Sequence, residues 1–420
     1  MKVLLAYGRT GLEIDVPDGC TDVVEPKEAP GIEDEEGNIA AAVRRPMATA
    51  ALGELAGAGD SVVIVVNDGT RPMPSARVLP VLLAELAHVP RDQITILVAT
   101  GTHRANTPAE LDEMLGPAIA RGYRVVNHDA RDERSLAYLG VSTRGTPIFM
   151  NRLYLQASVK ILTGFIEPHF FAGFSGGPKP AMPGLAGLAT VLGNHGPAMI
   201  AHPKATFGVL EGNPIHEEQR EIALLTRPTF SLNVALNKRH QITGVWAGEM
   251  LAVHAAGVAF VRATAMREIT RQYDVVLSTN SGFPLDQNLY QSVKGMTAAA
   301  RLVRPGGAIV LLAECRDGLP DHGSYQQLLA RAASTKALLA TIHQPGFQMP
   351  DQWQAQKQAL VQEHARVYLH SSLADQVVRD ALLTPAPDLQ ATIDTLTTGF
   401  GPQCRVAVLP EGPMTVMQVH

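Results

Sequence analysis

Ser61-Val-Val-Ile-Val-Val66 runs straight into Asn67-Asp-Gly-Thr-Arg-Pro72. A short, almost wholly apolar and β-branched run reads as a strand buried on both faces. The polar residues after it, punctuated by Gly69 and Pro72, read as the loop at its carboxyl end. The same pairing recurs down the chain. Ile94-Thr-Ile-Leu-Val-Ala99 leads into Thr100-Gly-Thr-His-Arg104, and Val159-Lys-Ile-Leu-Thr163 into Gly164-Phe-Ile-Glu-Pro-His169. Asp274-Val-Val-Leu-Ser278 leads into Thr279-Asn-Ser-Gly282, and Ala308-Ile-Val-Leu-Leu-Ala313 is a further strand. Longer helical patterns lie between. Strands alternating with helices predict an α/β protein with largely parallel sheets. Ligands of such sheets bind outside the carboxyl ends of the strands, so these loops are expected to assemble one site.

Helix starts are marked as clearly. Thr107-Pro108-Ala109-Glu110 combines a capping box with proline at the first helical position, and Gly116 supplies a stop. Asn213-Pro214 opens another helix in the same manner. Residues 249–270 read as one long Ala-rich helix, followed by a fresh strand from Tyr273. A boundary near 270 then gives two α/β domains. Residues 1–270, which carry most of these polar loops, are expected to form a cofactor-binding and catalytic domain and residues 271–420 to close over the substrate, with the active site in the cleft between them.

The chain has 420 residues, 46% hydrophobic and 18% charged, a globular balance. With 5% aromatic residues, the core must rest on Val, Leu, Ile and Ala. A net charge of -5 without a basic stripe argues against nucleic acid as the partner. The first apolar run is broken by Tyr7, Gly8 and Arg9. It is too short for a secretion signal or a membrane span and reads as a strand, which predicts a cytoplasmic protein with no membrane partner. Cys20, Cys315 and Cys404 form no CxxC pair and no zinc spacing.

The densest chemistry lies in Glu167-Pro-His-Phe-Phe-Ala-Gly-Phe-Ser-Gly-Gly-Pro-Lys179. Gly173 to Lys179 approaches the phosphate-loop pattern GxxxxGK. Pro178 stands where its second glycine belongs, however, and Pro180 where the magnesium-binding hydroxyl belongs. One lysine in a rigid, partly apolar loop suits a nucleophilic or covalently modified amine. His195, flanked by Gly193 and Gly196, reads as a metal ligand or as a helix cap. His103 and His169 each follow a strand and suit an acid–base pair, or a capping role. Arg71 can grip a carboxylate through two parallel hydrogen bonds, and Asp68 can cap the turn. On a helix from Asp286, Tyr290, Gln291 and Lys294 share one face, which suits either a carboxylate or solvent. Trp353 walls a pocket or fills the core.

As an ordered set, NDGTRP (67–72), TGTHR (100–104), EPHFFAGFSGGPK (167–179), GNHG (193–196) and YQSVK (290–294) resemble the nickel-dependent lactate racemase family. Trp353 extends the match. The resemblance implies a nickel-pincer nucleotide as cofactor: a pyridinium-3,5-bisthiocarboxylic acid mononucleotide binding nickel through sulfur, carbon and sulfur. It implies that Lys179 tethers this group by a thioamide, that His195 completes the nickel coordination, and that His103 and His169 are acid and base. Arg71 and Lys294, with Gln291, match the substrate-holding residues. Tyr290 and Trp353 match pocket-lining positions, and Asp68 an acid near the cofactor. Pro178 differs from the basic residue expected in lactate-specific members, which opens the substrate to other short hydroxy acids.

The reaction so implied inverts C2 of a 2-hydroxy acid by hydride transfer through a 2-keto acid, and its partners are the small-molecule substrate and the cofactor biosynthesis enzymes. Two alternatives remain at this stage. One is a pyridoxal-phosphate racemase with Lys179 as its Schiff-base lysine. The other is a non-catalytic nickel- or nucleotide-binding protein, which has no use for a histidine pair.

Overall fold

The computed structural model describes residues 1–420 except 27, 28, 270, 321, 322 and 420; at 265, 268, 269 and 416–419 only the backbone is described. The chain divides into two compact units. One comprises Glu28–His195 and Lys204–Thr264. The other comprises Met1–Lys27, Gly196–Pro203 and Ala265–His420. The first stretch of chain and the short segment after His195 therefore pack with the C-terminal third, whereas the sequence suggests a single boundary near 270.

The larger unit is built on a six-stranded sheet. Its order is Ile242–Gly248, Phe230–Leu236, Val159–Phe165, Val62–Asn67, Ile94–Ala99 and Arg124–Asn127. All neighbours are parallel except the first pair. Val62 to Val66 and Ile94 to Val98 are buried without alternation, as strands covered on both faces require. Helices Glu35–Arg44 and Ser75–Glu85 supply Ile39, Val43, Leu79 and Leu82 to a core shared with Ile64, Ile96 and Ile161. Each such side chain contributes about 1.5–3 kcal/mol by leaving water. Thr107 and Glu110 form the reciprocal capping box, and the helix Pro108–Leu115 stops at Gly116 with φ 82°. Val62–Asn67, Ile94–Ala99 and Val159–Phe165 run parallel, so the loops that follow them leave one edge of the sheet together.

The second unit carries another six-stranded, wholly parallel sheet: Thr384–Pro385, Arg366–His370, Val303–Leu312, Tyr273–Thr279, Val406–Leu409 and Thr21–Val23. Val275, Leu277, Val310, Leu312 and Val408 pack against Ile393 and Leu396. The opening residues form a separate antiparallel hairpin, Lys2–Leu5 with Leu12–Asp15.

One expectation is corrected. The Ala-rich helix runs from Met250 to Ala265, and Met266–Ile269 is a strand paired in parallel with Val416–Val419. Good helix formers such as Met266 and Arg267 extend the helical pattern in sequence, but pairing with a distant strand overrides local propensity. Thr270, also assigned to that helix from sequence, lies outside the described residues. Among the described residues, no helix is long and apolar enough to cross a membrane.

Candidate active site

The three loops at the carboxyl edge of the larger unit's sheet carry the chemistry. After Val62–Asn67 the chain turns tightly, with the Arg71 N–H bonded to the Asp68 carbonyl. Asp68 is buried, and its two oxygens are separately engaged. Thr70 donates to Oδ1 at 2.8 Å, and His103 Nδ1 lies 2.7 Å from Oδ2. Burial alone would raise the Asp68 carboxyl. The facing His103, with Arg71 and the Thr70 hydroxyl, outweighs it and holds the group below the usual carboxylate range. An ionised Asp68 accepts from Nδ1–H and so leaves His103 Nε2 with the lone pair.

This pair predicts a first result. Asp68→Asn removes the charge that orients His103 at almost no change in volume. Turnover of the loaded enzyme is expected to fall roughly 10- to 100-fold, the usual cost of removing the partner that fixes a functional histidine. Wild-type turnover would show that the pair does not orient the base.

The loop after Val159–Phe165 folds back on itself. Pro168–His169 pairs antiparallel with Gly173–Phe174, and the backbone N–H groups of Phe171 and Ala172 point at His169 Nδ1 from 3.5 and 3.2 Å. In the neutral ring the proton then sits on Nε2. Phe171 is the centre of the arrangement. Its ring meets His169 at 4.5 Å and His195 at 5.0 Å between centroids, both edge-on, and Lys179 Nζ lies 5.8 Å from it. The sequence shows the aromatic run but not which ring joins the three groups.

Lys179 follows Gly176, Gly177 and Pro178, and its N–H closes a turn on the Gly176 carbonyl. The end of this loop is tied to the His103 loop by the Gly101 N–H, which donates to the Gly184 carbonyl at 3.0 Å. His195 ends the helix Leu188–Asn194 and is 4% exposed. Burial first, and then Lys179, push its imidazole down to about 3, so it is neutral and able to offer a lone pair to a metal.

Two further histidines surround the lysine loop and escaped the sequence analysis. His216 and His254 stack at 5.6 Å, and burial is the main cause pushing them down to about 3 and about 4, with Lys179 lowering both further. Both stay neutral in the fold, while an unfolded histidine takes up a proton near pH 6.5. Below that pH the unfolded state binds protons that the fold refuses, so stability present above pH 6.5 is lost as pH falls towards 4. The urea midpoint of the apoprotein is expected to drop between pH 6.5 and 4.5, above the range where carboxylates titrate, and to drop less in His216→Gln. Equal slopes in the two proteins would remove His216 from this effect.

In the second unit, Tyr290, Gln291 and Lys294 lie on the helix Leu289–Ala299, opened by the Asn288 side chain capping the Gln291 N–H. Trp353, 4% exposed on Gln352–His364, donates from Nε1 to the Tyr290 hydroxyl at 3.3 Å. Gln354 donates to the Tyr290 carbonyl, and Tyr325 meets the Tyr290 ring edge-on. Gln291 is buried and its Oε1 accepts no hydrogen bond, an acceptor held ready at a cost in desolvation. The structure thus brings together Asp68 with His103, Lys179 with His169 and His195, and Tyr290 with Trp353.

Comparison with known proteins decides the family. The model for the lactate racemase N-terminal domain matches residues 7–208, and that for the lactate racemase C-terminal domain matches residues 269–417. The lactate racemase of Thermoanaerobacterium thermosaccharolyticum is 34% identical over 424 residues, 99% of either chain. The chain belongs to the lactate racemase family. The lactate racemase of Lactiplantibacillus plantarum is 36% identical over 381 residues, 90% of each. The Thermoanaerobacterium lactate racemase apoprotein superposes with a TM-score of 0.93 at 33% identity, covering both chains fully. A Thermotoga maritima protein, 16% identical, shares the fold at a TM-score of 0.70 over 94% of this chain and all of its own. The family consists of racemases, hence isomerases, and implies a nickel-dependent cofactor. Membership favours an enzyme over the non-catalytic reading.

The residues present fit such a group. Among the described residues no three His, Cys, Asp or Glu side chains gather as a metal site. A neutral, buried His195 could offer one donor to such a group, and Lys179, whose Nζ lies 5.8 Å from the Phe171 ring that His195 also meets, could offer an amine to anchor it.

Proposed function

We propose that this protein inverts C2 of a small 2-hydroxy acid, lactate or a related acid, using a nickel-pincer nucleotide tethered to Lys179. The observation that carries the reading is the gathering of Lys179, His195 and His169 around Phe171, with the Asp68–His103 pair on the adjoining loop. Lys179 would hold the nucleotide, by a thioamide, and His195 would offer its lone pair to the nickel. When bound, the group supplies an acceptor for the hydride leaving C2.

Direct removal of the C2 proton would place a carbanion beside a carboxylate. Passage through a flat 2-keto acid would avoid that and would leave both faces of C2 open to inversion. Arg71 takes the substrate carboxylate through paired hydrogen bonds, and Lys294 and Gln291 hold the substrate's oxygens. His103 takes the hydroxyl proton at Nε2, its Nδ1 held by Asp68. His169 serves the opposite hydroxyl through Nε2. A ring that accepts from backbone at Nδ1 and carries its proton on Nε2 has no lone pair left. The long Nδ1 contacts must therefore yield when His169 acts as base.

The test is to express the chain together with the cofactor-making enzymes and incubate it with enantiopure L-lactate and a panel of 2-hydroxy acids, following both enantiomers by chiral chromatography. Racemisation of at least one acid is expected. Loaded protein that leaves every acid optically pure would overturn the reading.

A further inference from the structure

Asn233 sits in the middle of the strand Phe230–Leu236 and is fully buried. Packing alone would be served better by a hydrophobe, because a buried amide without partners costs free energy. Its hydrogen bonds account for it. Asn233 Oδ1 accepts from the Gly177 N–H at 3.0 Å, and Nδ2 donates to Ser231 Oγ at 2.9 Å. The amide occupies a slot made by absent side chains. It stands in register with Gly164, where an added Cβ would come within 3.3 Å of Oδ1, and a Cβ on Gly176 would collide with the same atom.

His254 takes the other side of the turn. From the helix Met250–Ala265 its Nε2 donates to the Ser175 carbonyl at 3.1 Å, and its ring fills the place of a Gly177 side chain. Gly176 and Gly177 have φ of 76° and 52°, so the turn needs glycine for its backbone as well as for the two neighbours. Lys179 follows two residues later.

We propose that Asn233 and His254 are positioning residues that grip the Gly176–Gly177 turn from two sides and so fix where Lys179 presents its amine. The inference rests on the tether proposed above. Forming one covalent bond at a defined atom requires the amine to be held in place, and misplacement of a reacting group by about 1 Å costs on the order of 100-fold.

The test compares Asn233→Leu, which keeps the branched shape in a larger side chain and removes the acceptor, with Asn233→Asp, which keeps the acceptor. Three quantities are read on the full chain: hydrogen exchange of the 175–179 segment in the apoprotein, the fraction of chains carrying the tethered mass after co-expression, and the thermal midpoint. In Asn233→Leu, exchange is expected to rise about tenfold and loading to fall about tenfold, the scale of one buried hydrogen bond. Asn233→Asp should restore both to near wild type. Unchanged exchange in Asn233→Leu, or equal impairment of the two variants, overturns the proposal. If the wild type itself gains no mass, the tether reading fails, and exchange alone still decides whether the grip exists. Should Asn233→Leu not fold, His254→Phe keeps the ring against Gly177 and removes the Ser175 bond. Faster exchange is then expected, and wild-type exchange and loading would overturn the proposal.

Discussion

Lys179→Ala, expressed beside the cofactor-making enzymes, is expected to emerge at the mass of the bare polypeptide, without nickel and without racemase activity. The wild type prepared in parallel should carry both a cofactor-sized mass increment and nickel. The loss in turnover should be on the order of 10⁴-fold or more, as for removal of a group on which the whole catalytic unit depends. The structure explains why no neighbour takes over. His195, His216 and His254 are neutral imidazoles with no amine to offer, and the glycine turn before Lys179 places one amine near the Phe171 ring. Nickel retained by Lys179→Ala at wild-type stoichiometry would mean that the tether is dispensable for holding the group. Loss of both signals together would tie metal and nucleotide to a single anchor.

The second large effect concerns the histidine pair. His103→Ala and His169→Ala should each lower turnover by roughly 10²- to 10⁴-fold, the range for a general acid–base group. Interconversion of enantiomers has an equilibrium constant of one. The two directions must therefore keep equal kcat/KM in every variant, however unequally the histidines are used. Steady-state efficiency cannot reveal which histidine serves which enantiomer, but a single-turnover experiment can. With loaded enzyme in excess, each variant should form keto acid rapidly from one enantiomer and slowly from the other, and the preference should reverse between the variants. Equal rates from both enantiomers in either variant would remove the division of labour, and near-wild-type turnover would remove that residue from the chemistry.

Much of this was legible in the chain. Val62–Asn67 and Ile94–Ala99 were found within a residue because both are buried on both faces, which makes them continuous apolar runs needing no partner to be recognised. The capping box at Thr107 and Glu110 is a local device, written and read locally. The resemblance that gave Lys179, His195, His103 and His169 rests on contiguous motifs. Asn233, His216 and His254 were missed for the opposite reason. Each stands alone in an ordinary helix or strand, and becomes informative only when folding brings it against the glycine turn or its neighbours. Met266–Ile269 reads as helix from its own residues because its partner, Val416–Val419, lies about 150 residues away.

The edge strand Thr21–Val23 pairs with Val406–Leu409, so a strand made early completes a sheet with one made much later. On the ribosome Thr21–Val23 must wait for Val406–Leu409 to emerge before that edge can pair. Meanwhile Glu28–His195 and Lys204–Thr264 already hold every residue of their sheet. A fragment beginning at Ala265 would leave Val406–Leu409 as a bare apolar edge, open to pairing with other copies. Supplying residues 1–27 as a separate peptide is the natural way to seal it. The sheet of the lysine-bearing unit is thus complete in sequence before the strand that pairs with Thr21–Val23 has been made.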